Sequence, residues 1–336
     1  MTSLAAFCLI GGMLSVYTLL DGYDLGAAAI SPFLTKTRAE RSAVVESIGP
    51  FWSGNEVWLV AAGAALFALF PQAYAVSFSG FYLPFIVVLW LLMFRGIAIE
   101  LREHLPGVIW MDFWDAAFSV SSALLILLFG VALGNLVRGL QLDANGYFLG
   151  TFSSLLNPYA AAVGVLAVVA LAQHGLAYVA ERVDGPLGER ALRHVGRLWW
   201  LVFVAYLAVT AATVAERRSD LASSPLSIVA SLAALGALGA VWWFAGRRRA
   251  APAFLASASF LAGLLVAAAA TMYPYLIRPY PGAAGGLTIF QASPPTATLA
   301  LTLLISSVGL AAVIVYSAFV RRRMALKVTV HDDRSV

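Results

Sequence analysis

The sequence predicts an all-α, polytopic membrane protein with about nine transmembrane helices. Three observations predict it. Of the 336 residues, 61% are apolar and 11% charged, whereas a soluble domain is roughly 45–50% apolar and about 25% charged. So few charges could not cover a soluble sphere of this size. Apolar runs of about 20 residues, enough to cross a bilayer, recur along the chain. These runs are continuous and rich in Leu, Ala and Val, which favours helices over the alternating pattern of strands.

The first helix is expected over 5–30, ended by Ser31-Pro32. No Lys or Arg precedes its apolar run, so it reads as a retained helix rather than a secretory signal. The second, over 52–71, closes on Phe70-Pro71. The third covers 74–99, with Pro84 expected to kink it, and the fourth 113–136. Asn157-Pro158 opens the fifth, 158–182, and Val183-Asp184-Gly185-Pro186 begins the polar loop that follows. The last four are expected over 197–215, 225–245, 252–276 and 297–320. Pro274 would kink the eighth, while Pro279 and Pro294-Pro295 mark loops. No fixed-period repeat or low-complexity linker interrupts the chain, so residues 1–336 read as one integral membrane domain.

Composition excludes a disordered chain, a collagen and a secreted disulfide scaffold. The single cysteine, Cys8, has no partner for an internal disulfide. No soluble basic face is present to bind nucleic acid. All basic residues except Arg138, Arg217, Arg218 and Arg278, 17 of the 21, fall on alternate loops beginning with the one after the first helix. That asymmetry places the C-terminus in the cytoplasm and the N-terminus outside.

Ionisable groups within spans are costly and mark functional candidates. Asp21 and Asp24, three residues apart, share a face late in the first helix. Glu56 lies one turn into the second helix; Arg95 and Glu100 close the third; Asp112 and Asp115 open the fourth. With Glu46 and Arg102 they gather toward the cytoplasmic side, whereas Asp143, Glu216 and Asp220 fall in outer loops. For Asp112, Asp115, Glu100 and Arg102, a charge-compensated layer snorkelling into headgroups accounts for the pattern equally well. Asp21, Asp24, Glu56 and Arg95 lie deeper, which favours a functional cluster drawing protons from the cytoplasm.

His104, His194 and His331 lie outside the spans and His174 alone lies within one. One intramembrane histidine does not hold a bis-histidine haem. His174 therefore reads as a hydrogen-bonded packing residue, and Met93 and Met272 as packing too. No CxxC, HExxH, P-loop or nucleophile elbow is present. No metal or cofactor is expected on this chain. Most of the nine tryptophans fall near helix ends, as an interfacial belt does. Trp58, two residues past Glu56, is deeper and reads either as lining of an internal tunnel or as ordinary packing.

A family pattern emerges from these segments. Leu20-Asp21-Gly22-Tyr23-Asp24-Leu25-Gly26 and Gly49-Pro50-Phe51-Trp52-Ser53-Gly54-Asn55-Glu56-Val57-Trp58-Leu59 resemble the first- and second-helix signatures of subunit II of cytochrome bd-type quinol oxidases, the cyanide-insensitive branch included. Phe78-Ser79-Gly80-Phe81-Tyr82-Leu83-Pro84 and Phe94-Arg95-Gly96-Ile97-Ala98-Ile99-Glu100 follow in order. So do Gly134-Asn135-Leu136-Val137-Arg138-Gly139, Leu156-Asn157-Pro158-Tyr159-Ala160, His174-Gly175, Tyr273-Pro274-Tyr275 and Leu287-Thr288-Ile289. The resemblance runs over nearly the whole chain.

The resemblance implies a fold of two four-helix bundles plus one peripheral helix, in the bacterial cytoplasmic (inner) membrane. It implies a larger partner, subunit I, carrying the quinol site and haems of b and d type, or b alone. It leaves room for a small accessory transmembrane subunit. The pair oxidises quinol from the membrane pool, reduces dioxygen to water and builds a proton-motive force without pumping. This subunit, carrying no redox centre, would scaffold subunit I and help form proton and dioxygen paths. Asp21, Asp24, Ser53, Glu56 and Glu100 become proton-path candidates, Arg95 their charge partner and Trp58 a dioxygen-path candidate. Ser53 departs from the pattern, since many relatives carry a carboxylate there; a serine relays a proton through its hydroxyl but holds no charge. Glu56, one turn on, is the nearest acid in that segment. The alternative reading, an ion- or proton-coupled transporter, would place its acids at the midplane between paired half-helices. No such pairing stands out in the sequence.

Overall fold

The computed structural model describes residues 1–105, 107–143, 147–222, 224–281, 285–323 and 327–330, with the side chains of 218–222 and 321 excepted. His331 and Arg334 lie outside the described residues, as do the side chains of Arg218, Asp220 and Arg321.

The first apolar run forms α1 (Thr2–Leu34), which carries Pro32 in its last turn instead of stopping before it. A short amphipathic helix, α2 (Arg38–Ile48), follows. Its start is built by side chains: Thr37 Oγ1 accepts the Glu40 amide at 3.2 Å and Glu40 Oε2 accepts the Lys36 amide at 2.6 Å. α2 buries Ala43, Val44, Ser47 and Ile48, and Tyr178 donates to the Ser47 carbonyl at 2.6 Å. Arg190 also holds Glu40, at 2.5 Å. Partial burial pushes the Glu40 carboxyl up, but Arg190 and the Lys36 amide outweigh it and leave it below the usual carboxylate range.

The second run forms α3 (Trp52–Leu69). The expected helix 74–99 is two helices, α4 (Pro71–Gly80) and α5 (Tyr82–Leu101), which meet at Phe81. Pro84 sits in the first turn of α5; it has no amide to offer the Gly80 carbonyl four residues back, and the run breaks there, at Phe81 (φ −103°, ψ 25°), one turn before the proline that was expected to kink it. α6 (Val108–Arg138) ends on Gly139 at φ 99°, a conformation that favours glycine. A single turn, α7 (Phe152–Leu155), leads to α8 (Pro158–Arg182). Asn157 Oδ1 caps α8 on the Ala160 amide at 2.9 Å, while its amide nitrogen donates to Asn135 Oδ1 at 2.9 Å and so ties α8 to α6.

α9 (Pro186–Ala222) is long and breaks at Arg217, where φ is −132° and ψ is 28°. α10 (Pro225–Gly246) and α11 (Ala250–Met272) form a tight antiparallel pair. α11 stops at Met272, so Pro274 lies beyond the helix and kinks nothing. The chain there turns into a small antiparallel pair that the apolar pattern did not anticipate, β1 (Tyr275–Ile277) and β2 (Leu287–Thr288), before α12 (Thr296–Arg323). Eight helices, α1, α5, α6 and α8–α12, are long and apolar enough among the described residues to cross a membrane. α3, which carries Asn55 and Glu56 near its start, falls short of that apolar measure but stands where the second of the nine expected helices was placed.

α1, α3, α5 and α6 pack as one group and α8–α11 as another, joined where α8 lies against α1 and α6. α12 rests on α3 and α1. Lys36, Arg41, Arg102, Arg182 and Arg190 collect at one end of the bundle. The other end carries Arg138 paired to Glu216 at 3.1 Å and stacked over Tyr280, with Arg278 donating to the Thr271 carbonyl.

The α1–α8 crossing sets the spacing between the two groups. A Cβ on Gly175 would overlap the Ala27 amide nitrogen and the Gly26 carbonyl carbon, and one on Gly26 would overlap the Leu171 carbonyl. These are main-chain atoms, so the helices cannot yield locally. Gly175→Leu is expected to force α1 and α8 apart at a cost of about 3 kcal/mol. Yield and thermal midpoint of the purified protein should both drop, and a midpoint equal to that of the parent would show the crossing to be compliant.

Candidate functional site

Inside the first group, three helices bring ionisable side chains to one point. Asp21 and Asp24, one turn apart on α1, face inward and are fully buried. Arg95 projects from α5, six residues before Leu101 and so about 9 Å short of the helix end. It too is fully buried. Its guanidinium grips Asp21 with two parallel bonds, Nη2 to Oδ1 at 2.6 Å and Nη1 to Oδ2 at 2.9 Å. Nη1 also reaches Glu56 Oε1 at 3.0 Å, and Nη2 lies 3.8 Å from Asp24 Oδ2.

Asn55, next to Glu56 on α3, completes the arrangement. Its amide nitrogen contacts Asp24 Oδ2 at 2.7 Å, Tyr23 Oη at 3.0 Å and the Leu20 carbonyl at 3.3 Å. Three carboxyl groups therefore face one guanidinium, with an amide holding the third. The forked geometry suits arginine and would not be met by lysine.

Of the other sequence candidates, Ser53 and Glu100 are exposed and stand outside this cluster. Trp58 is buried, with Nε1 donating to Ser317 Oγ of α12 at 3.3 Å. Asn55 and Tyr23 were missed by the sequence reading. An asparagine at the start of an otherwise apolar span was the available signal.

A second network lies nearer the charged end. Buried Arg102 bonds Asp115 at 2.6 Å and Ser42 Oγ at 2.9 Å, and Arg41 bonds Asp112 at 3.1 Å. Asp112 is half exposed, as a surface layer would be. Glu46 is exposed and belongs to neither network.

His174 is buried in α8 between Ser257 Oγ, 2.7 Å from Nδ1, and the Leu19 carbonyl, 3.0 Å from Nε2. A carbonyl only accepts, so Nε2 carries the hydrogen; in the neutral ring Nδ1 is then an acceptor that shares the single Ser257 hydroxyl hydrogen with the Phe254 carbonyl, also 2.7 Å from Oγ. The ring stacks on Phe254 at 4.9 Å. Both nitrogens are thus engaged in packing contacts, as the sequence suggested. Among the described residues no group of three or more His, Cys, Asp or Glu side chains is placed to hold a metal ion.

Long apolar helices in two groups, with an arginine–carboxylate cluster packed inside one, define a polytopic membrane protein that holds charge among its helices. The cytochrome bd terminal oxidase subunit II family matches residues 2–324. The chain is 30% identical over 357 aligned positions to cytochrome bd-I ubiquinol oxidase subunit 2 of Escherichia coli K12, covering 96% of this chain and 94% of that one. It is 36% identical over 205 positions to cytochrome bd ubiquinol oxidase subunit 2 of Bacillus subtilis, 61% of each chain. The fold is shared with a solved bd oxidase from Geobacillus thermodenitrificans, at TM-score 0.77 and 18% identity over 96% of this chain and 98% of that one. The chain belongs to the cytochrome bd terminal oxidase subunit II family.

Proposed function

We propose that this chain is the scaffold partner of a haem-bearing subunit I in a bacterial inner-membrane quinol oxidase, and that its Arg95 cluster passes protons inward from the cytoplasm. One observation carries the proton reading. The Glu56 side chain is 26% exposed, whereas Asp21, Asp24 and Arg95, which it joins, are wholly enclosed. Glu56 is therefore the point where an outside proton meets a closed polar interior.

Quinol oxidation releases protons and reduction of dioxygen to water consumes them. Drawing the consumed protons from the cytoplasm makes the reaction electrogenic, at about 2.3 kcal/mol per charge per 100 mV. The redox chemistry belongs to groups held by subunit I. This chain's part is to hold protons: with three carboxyl groups around one guanidinium, the cluster takes up protons while moving toward neutrality. Asn55 and the two Arg95 bonds to Asp21 keep the carboxylates in place as that charge changes. The loop-charge count supports a cytoplasmic C-terminus, which puts Glu56 toward the proton source.

The test is purification from native membranes. The chain should carry with it a larger haem-rich membrane subunit, and the complex should show a haem spectrum that the chain expressed alone lacks. Stoichiometric haem on the isolated chain would overturn the scaffold reading.

A further inference from the structure

We propose that the α10–α11 turn and the start of α9 form a site for the phosphodiester headgroup of an anionic phospholipid, of phosphatidylglycerol or cardiolipin type. The turn is Arg247-Arg248-Arg249. Its backbone closes α10 with two bonds, Arg248 N–H to the Ala245 carbonyl and Arg249 N–H to the Phe244 carbonyl, each 3.0 Å. This is the Schellman arrangement, in which the residue after the cap takes a left-handed conformation and glycine is preferred. Arg248 occupies that position at φ 56°, the one non-glycine residue with positive φ among the described residues. An arginine is thus kept where the backbone favours glycine, which points to a use for its side chain.

Beside the turn lies a cavity of about 480 Å³ whose wall includes Arg193, Arg248, Asp184 and Glu189. The two acids are already engaged: Asp184 with Lys327 at 2.7 Å and Glu189 with Arg193 at 3.7 Å. Arg248 and Arg249 are exposed and pair with no carboxylate among the described residues, and Arg197 is exposed one turn beyond Arg193. The lining itself balances two arginines against two acids; with Arg249 and Lys327 added on one side and Glu181, beside Lys327, on the other, basic groups around the cavity outnumber acidic ones by one. α9 and α11 both begin at its wall, which adds first-turn amides to that balance.

The surroundings favour a lipid over a soluble anion. Trp200, Trp242 and Trp243 stand 61%, 51% and 50% exposed on the adjoining helices, and the Arg247 guanidinium lies 3.9 Å over the Trp243 ring. Such rings sit at headgroup level, leaving acyl chains to run along α9 and α10. A role for the arginines in setting orientation alone requires charge, but neither the left-handed position nor the cavity.

Arg248→Gly separates these roles, because glycine suits the turn at least as well. In native mass spectrometry of the detergent-purified complex, dioleoylphosphatidylglycerol should be retained and should raise the thermal midpoint. Dioleoylphosphatidylcholine and glycerol 3-phosphate should do neither. Arg248→Gly and Arg193→Gln should each weaken phosphatidylglycerol retention about fivefold at normal complex yield. Arg322→Gln, an exposed arginine on α12, should leave it unchanged. If Arg322→Gln matches Arg248→Gly, or phosphatidylcholine binds equally, there is no specific site. Displacement of the lipid by glycerol 3-phosphate would assign the cavity to a soluble anion and overturn the lipid reading. Should Arg248→Gly lower the yield, Arg193→Gln reads the same site.

Discussion

Arg95→Ala is expected to prevent the oxidase complex from accumulating. The side chain is fully enclosed and is the cation of a cluster containing Asp21, Asp24 and Glu56. Its loss strands the carboxylates in a low-dielectric interior, at a cost of about 3–5 kcal/mol. That is a large part of a typical stability of about 5–15 kcal/mol. Arg95→Lys should recover only part of the yield, because an ammonium cannot reproduce the paired bonds to Asp21. Combining Arg95→Met with Asp21→Asn should also recover part, since it removes the most tightly bound charge along with its partner. Complex yield and thermal midpoint measure all three. A normal yield from Arg95→Ala alone would show that the cluster does not stabilise the fold.

Glu56→Gln separates proton transfer from structure. Glutamine keeps the length and shape of the side chain, and its carbonyl oxygen still accepts from Arg95 Nη1, as Glu56 Oε1 does at 3.0 Å. It cannot bind and release a proton at neutral pH. Quinol-dependent oxygen uptake should fall by about tenfold or more, with the haem spectrum and complex yield unchanged. Uptake at the parental rate would move Glu56 to a purely structural role. A fall in spectrum and activity together would point to assembly instead.

Much of this cluster was legible because charge is conspicuous in an apolar chain. Asp21 and Asp24 fall three apart on one helical face, and Glu56 and Arg95 interrupt two other apolar runs. Their shared location toward one end followed from counting helices. The elements that escaped notice did so for physical reasons. α2 is too polar and short to register as a span, and only the Thr37-to-Glu40 spacing, a capping signal, marks its start. The break between α4 and α5 at Phe81 was marked only as a kink, by Pro84 one turn further on, and hydropathy alone does not divide the run into two helices. The β1–β2 pair follows from the stop after Met272, which an apolar run through Pro274 conceals.

By itself the sequence determined the solvent of this protein, its helical class and the identity of the groups that carry charge into the membrane. Those follow from composition and local periodicity, which require no knowledge of neighbours. Only the tertiary structure decided which acids share the guanidinium. It enclosed Asp21 and Asp24, left Glu56 at the boundary, and turned Ser53 and Glu100 outward. That choice depends on how α1, α3 and α5 rotate against one another, and it is set by packing, down to the bare backbone contact at Gly26 and Gly175, between residues far apart in the chain.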